Sequence, residues 1–203
     1  KENTAQNGGA VYVNCGLVEV DQGSLFVSNT ASERGGAIYI GSKVEGGANR
    51  SGQVDIYNGY IGQGEDSSLA NNAKYGGGIF VGESGIVRML KSEYGSAIVS
   101  GNLAEYGAGL YYATNNINTN TSWLGYGEIT LCTASIRGGG AYVESGRLDI
   151  SSEFSINGNS AVEGGGLYIC ANSIVYLQQG AVVSNNSATN GAGVYLCGTL
   201  KLY

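Results

Sequence analysis

The sequence predicts an all-β fold: a right-handed single-stranded parallel β-helix, or solenoid, of about seven rungs in a single domain over 1–203. Three observations predict it. A six-residue motif recurs along the whole chain, apolar–polar–apolar triplets recur between its copies, and no helical period is present.

The motif is two small residues, a third small residue, an aliphatic, an aromatic and an apolar residue. It reads Gly8-Gly9-Ala10-Val11-Tyr12-Val13, then Gly35-Gly36-Ala37-Ile38-Tyr39-Ile40 and Gly76-Gly77-Gly78-Ile79-Phe80-Val81. Copies follow at Gly107–Tyr112, Gly138–Val143, Gly164–Ile169 and Gly191–Leu196. Successive starts lie 27, 41, 31, 31, 26 and 27 residues apart. The unit is therefore 26–27 residues, with insertions expected at about 41–51, 62–70, 90–96 and 113–127.

Each unit is expected to hold three short strands. The first carries the aromatic. The second is an alternating triplet such as Val18-Glu19-Val20, Val54-Asp55-Ile56 or Leu148-Asp149-Ile150. The third is a short apolar run such as Leu25-Phe26-Val27 or Ala181-Val182-Val183. Period-two alternation marks a half-buried strand. One unit cannot bury its apolar row alone, whereas stacked units bury a continuous one. In the fifth repeat Cys132 falls where Asn usually sits, and the second strand lies within 113–127 at no evident position.

After the third strand comes Asn-x-Ala. Asn3, Asn29, Asn71, Asn102, Asn159 and Asn186 fill this slot, expected to be a turn, because Asn tolerates left-handed backbone and bonds neighbouring backbone. Stacked Asn side chains can also bond one another between rungs. Paired glycines suit a sharp corner. Alternation turns the central aromatics outward, so Tyr12, Tyr39, Phe80, Tyr111, Tyr142, Tyr168 and Tyr195 are expected to form an external ladder. Such a ladder either stabilises the coil by self-stacking or offers an aromatic face to a glycan or protein.

These motifs carry a resemblance. Gly8-Gly9-Ala10-Val11, Gly35-Gly36-Ala37-Ile38 and Phe26-Val27-Ser28-Asn29 resemble the Gly-Gly-Ala-(Ile/Leu/Val) and Phe-x-x-Asn repeats of the chlamydial polymorphic membrane proteins and related bacterial autotransporter or adhesin-like surface proteins. The resemblance implies an adhesin-like passenger, and no translocating barrel accompanies the repeats.

Composition narrows the function. Net charge is −6 with no basic cluster, so nucleic acid is not an expected partner, and no apolar run is long enough for a membrane-spanning helix. The chain holds no His, which removes His-based nucleophile activation and the usual zinc sets, and no cofactor is expected. Glu19 and Asp55, on adjacent second strands, are the one carboxylate pair with glycosidase-like spacing, and a solvated polar face is the favoured reading of them. An enzyme is therefore not expected.

Cys170 and Cys197 occupy equivalent positions on adjacent rungs, within disulfide reach, either as a bond or as two stacked thiols. The 113–127 insertion holds Asn115, Asn116, Asn118, Asn120, Trp123 and Tyr126. It is either a binding loop or a segment folded back on the body. The expected function is an extracellular, cell-surface β-solenoid, adhesin-like or structural, whose partners are a surface protein or glycan. The alternatives are a filament or matrix protein assembling end to end through uncapped ends, and a polysaccharide-processing lyase or hydrolase.

Overall fold

The computed structural model describes residues 1–46, 48–64, 66–115 and 122–203. It is all-β, and among the described residues the only helical element is the 3-10 turn Ser67–Leu69 inside the 62–70 insertion. Strands of one repeat pair in parallel with their counterparts in the next. The aromatic strand shows this best: Val11, Ile38, Ile79, Leu110, Ala141, Leu167 and Val194 stand in register across seven repeats. Among the described residues the one antiparallel pairing is Ser42–Glu45 against the start of Ala48–Ile56, a hairpin pairing within the 41–51 insertion.

The complete repeats carry four strand stretches, not three, some of them joined into longer strands such as Trp123–Thr130 and Ala141–Asn157. The Asn-x-Ala stretch forms a strand and not only a turn: Thr4–Asn7, Thr30–Arg34, Asn72–Tyr75, Leu103–Tyr106, Thr133–Arg137, Ser160–Glu163 and Ser187–Asn190 make a separate seven-stranded sheet. Its alternation is easy to overlook because the inward residue is only an alanine. Ala31, Ala73, Ala104 and Ala134 are buried in this row.

The apolar residues of the aromatic, second and third strands meet in one core, including Ile38, Ile56, Ile61, Leu110, Leu148 and Ile156 at full burial. Each such side chain contributes about 1.5–3 kcal/mol on leaving water. The second strand expected within 113–127 lies at Trp123-Leu124, where Leu124 pairs with Met89 and Ile150. Residues 113–114 and 123–127 are thus strand, at the ends of Leu110–Thr114 and Trp123–Thr130, and not insertion. The pattern is hidden because a serine precedes them: Ser122 is fully buried, and its Oγ accepts a hydrogen bond from the Val87 amide at 3.2 Å.

Asparagine holds the turn from the third strand to the Ala strand. Asn29 Nδ2 donates to Asn71 Oδ1 at 2.8 Å, Asn71 Nδ2 to Asn102 Oδ1 at 2.9 Å, and Asn159 Nδ2 to Asn186 Oδ1 at 3.0 Å. The same amide groups reach backwards to main-chain carbonyls, Asn102 to Ile61 and Asn159 to Ile129. The left-handed residue is not the Asn but the one before it: Glu2, Ser28, Gly101, Leu131, Gly158 and Asn185 have positive φ, and only Ala70 departs, at φ −64°. Cys132 occupies this row, fully buried, with its amide donating to Asn159 Oδ1 at 3.0 Å.

Candidate functional site

The glycine corner builds the candidate site. The first glycine of every motif copy, from Gly8 to Gly191, has φ between 60° and 69°. That left-handed step turns the chain from the Ala strand into the aromatic strand. Two rows of side chains flank it. Before the corner stand Asn7, Arg34, Tyr75, Tyr106, Arg137, Glu163 and Asn190, in register. After it stand the seven central aromatics.

The aromatics stack from end to end, with ring centroids 4.5–5.2 Å apart and planes within 21° of parallel. The preceding row leans onto them one repeat ahead. Tyr75 meets Tyr111 edge-on at 5.4 Å and Tyr106 meets Tyr142 at 5.7 Å. Arg34 lies 5.4 Å from the Phe80 centroid and Arg137 5.0 Å from that of Tyr168.

The expected external aromatic face is therefore corrected. Tyr12 is 53% exposed, but Phe80, Tyr111, Tyr142 and Tyr168 are only 6–9% exposed and form a second apolar cluster. The reason is the concave corner, where outward side chains of two sheets converge and cover each other. Burial raises the pKa of Tyr39, Tyr111 and Tyr142, and pushes Tyr168 up to about 12, because a phenolate there loses its water. Tyr111 also donates to Glu144 Oε2 at 2.9 Å.

A groove of about 360 Å³ remains over this cluster, lined by Arg34, Tyr75, Tyr106, Arg137 and Glu144 along with the edges of Phe80, Tyr111 and Tyr142. Arg137 Nε donates to Glu163 at 2.7 Å, while Arg34 has no carboxylate within ion-pair distance among the described residues. Sequence reasoning singled out neither arginine, nor Tyr75, Tyr106 and Glu144. The signal was the residue before each corner glycine, once the Asn-x-Ala stretch is read as a strand.

The other candidates fare differently. Glu19 and Asp55 do stand in register on adjacent strands. Asp55 is buried, however, and held by Arg88 Nε at 2.9 Å, Arg88 Nη2 at 2.7 Å and Gln53 Nε2 at 3.0 Å. With its oxygens so engaged, it is not free to act beside Glu19. Asp149 is held likewise by Arg147, at 2.9 and 2.8 Å.

The expected binding loop is divided. Asn115 is exposed and its amide donates to the Glu83 carbonyl, whereas Asn116, Asn118 and Asn120 lie outside the described residues. Trp123, 39% exposed, sits on the outer face of a strand between Arg88 and Asp149, and Lys91 lies 5.3 Å from the Tyr126 centroid. All four cysteines are free thiols, including Cys170 and Cys197. Among the described residues no group of three or more Cys, Asp or Glu converges as a metal site, and no helix is long and apolar enough to cross a membrane.

No protein-family model matches the chain, nor does any curated protein or any solved structure. The likeness to chlamydial polymorphic membrane proteins rests on the short motifs alone.

Proposed function

We propose that the chain is a right-handed parallel β-helix that serves at the cell surface as an adhesin-like or structural module. The observation that carries this reading is the in-register stacking of like residues: aliphatic on aliphatic and aromatic on aromatic through seven repeats, and Asn on Asn on either side of Cys132. A chain that repeats its strands in the same order and pairs each with the next copy winds into a coil, and parallel crossovers are right-handed in about 98% of cases. Such a body measures about 30 Å along seven strands spaced about 4.8 Å apart. Its inward side chains are committed to packing, which leaves the outer corners and turns for recognition.

Two measurements test the proposal. Nuclear Overhauser contacts in purified 1–203 should connect counterpart residues of successive repeats in parallel register, Ile38 with Ile79 and Ile79 with Leu110, and antibodies to it should label intact cells that make the protein. Absence of these parallel contacts overturns the coil; labelling that needs permeabilised cells overturns the surface role. The chlamydial likeness supports this setting as an analogy of motifs.

A further inference from the structure

We propose that the groove between Arg34 and Arg137 binds an acidic oligosaccharide laid along the stacking direction. The proposal rests on the surface-module reading for where such a glycan would be met, and on the groove for how it would be held.

The groove's shape is the first argument. Its walls come from four successive repeats: Arg34, then Tyr75 with Phe80, then Tyr106 with Tyr111, then Arg137 with Tyr142 and Glu144. Three strand spacings separate the two arginines, about 14 Å at about 4.8 Å each. A ligand touching both ends must be an extended chain and not a compact molecule.

The chemistry of the walls is the second. Ring faces are already used, because the central aromatics stack on one another and Tyr75 and Tyr106 stack at 5.5 Å. What faces the groove is ring edges, phenolic oxygens and guanidinium groups. Burial keeps the hydroxyls of Tyr111 and Tyr142 protonated. An apolar helix finds no open ring face here. An extended peptide finds no free strand edge either, since the strands on both sides already pair with their neighbours. A chain rich in hydroxyls can replace water against such walls, donating to Glu144 and bonding the phenols.

Charge is the third. Arg34 lacks a carboxylate partner among the described residues, and Arg137 is engaged by Glu163 through Nε. Each guanidinium rests near an aromatic ring, which limits its motion while its donors remain available to a carboxylate. Glu144, the one carboxylate in the lining, is already turned toward the Tyr111 hydroxyl. Two cations at the ends of a hydroxyl-lined trough suit a glycan carrying carboxylates at intervals along its length.

The test is calorimetric titration of purified 1–203 with short oligogalacturonates, with chelator present so that calcium bridging plays no part. Carboxyl-reduced oligomers of the same length serve as the neutral control. The expected result is saturable binding of the acidic oligomers that weakens as salt is raised. The neutral ones should bind at least about tenfold more weakly, since one charged contact of this type is worth about a factor of ten. Arg34→Gln should weaken binding by about tenfold with an unchanged circular dichroism spectrum, and Glu19→Ala, on a different face, should leave it unchanged. Equal binding of acidic and neutral oligomers, an unaffected Arg34→Gln, a weakened Glu19→Ala, or no saturation at millimolar ligand each overturns the site. If binding fails while the parallel contacts between repeats are present and intact cells are labelled, the glycan site is wrong and the surface module stands.

Discussion

Cys132 is the one residue of its row that is not asparagine, and it shows what that row needs. Asn102 Nδ2 points at its sulfur at 3.9 Å, a poor acceptor in place of an amide oxygen. The sulfur in turn lies 3.8 Å from the Val99 carbonyl, where the asparagines of other repeats place a good donor. Cys132→Asn is expected to restore both bonds and stabilise the chain by about 1 kcal/mol. Urea unfolding checks this: the midpoint should rise with the slope unchanged. Asn102→Ala should cost about 3 kcal/mol, because the buried donors of Asn71 and the Ile61 carbonyl lose their partner together. Burial also pushes the Cys132 thiol up to about 12. Its unfolded counterpart ionises near 8.5, so the folded form holds the proton more tightly and stability falls as pH rises above that value. Only part of this was legible in sequence. The period placed Cys132 in the Asn slot, but the direction of its side chain came from the packed structure.

At the scale of the element, the corner and its aromatic ladder form one device. The corner glycine allows a turn that no β-carbon fits: at Gly107, φ is +60° and an added methyl would press on the Leu110 carbonyl. Gly107→Ala is expected to lose about 1–3 kcal/mol in chemical denaturation, from strain at a left-handed position. The ladder predicts an alkaline limit. Tyr39, Tyr111, Tyr142 and Tyr168 have raised pKa values when folded, against about 10 when unfolded. Above about pH 10 the unfolded state releases protons that the folded state retains, so stability declines with pH through the folded values. Tyrosinate absorbance should therefore show a late stage, from the ladder tyrosines, that comes only with loss of the β-sheet signal. A single stage near pH 10 with structure intact would contradict the burial. The sequence placed all seven aromatics in one row. It did not show that Tyr75, Tyr106, Arg34 and Arg137 cover them, because those side chains come from a strand whose only apolar signal is alanine.

For the whole molecule, long-range parallel pairing replaces local structure, which makes folding slow and stability a sum over neighbouring repeats. The central repeats hold the fully buried side chains, whereas in the last repeat Val194 and Leu200 are half-buried and Leu196 is 50% exposed. Amide hydrogen exchange followed by mass spectrometry should be slowest in strands such as Ile38–Ile40, Ile79–Glu83 and Leu110–Thr114 and faster across 187–203. Uniform protection from end to end would argue for one cooperative unit. The 41–51 hairpin rests on the next repeat through Ser42 Oγ to Glu83 at 2.7 Å and Asn49 to Ser84 at 3.0 Å.

The sequence by itself determined the repeat, its register and the inward rows, because a period carried by glycine, aliphatic and asparagine positions is a local property that pairing only copies. Tertiary structure decided everything that depends on how outward faces meet. It made the Asn-x-Ala stretch a strand, placed Trp123 on a strand, bound Asp55 to Arg88, and turned an expected external aromatic face into a covered corner with a groove above it. The physical reason is that alternation reports which side of its own strand a residue occupies. Whether that side faces water is set by the angle to the next sheet, and a glycine corner closes that angle without leaving a periodic trace.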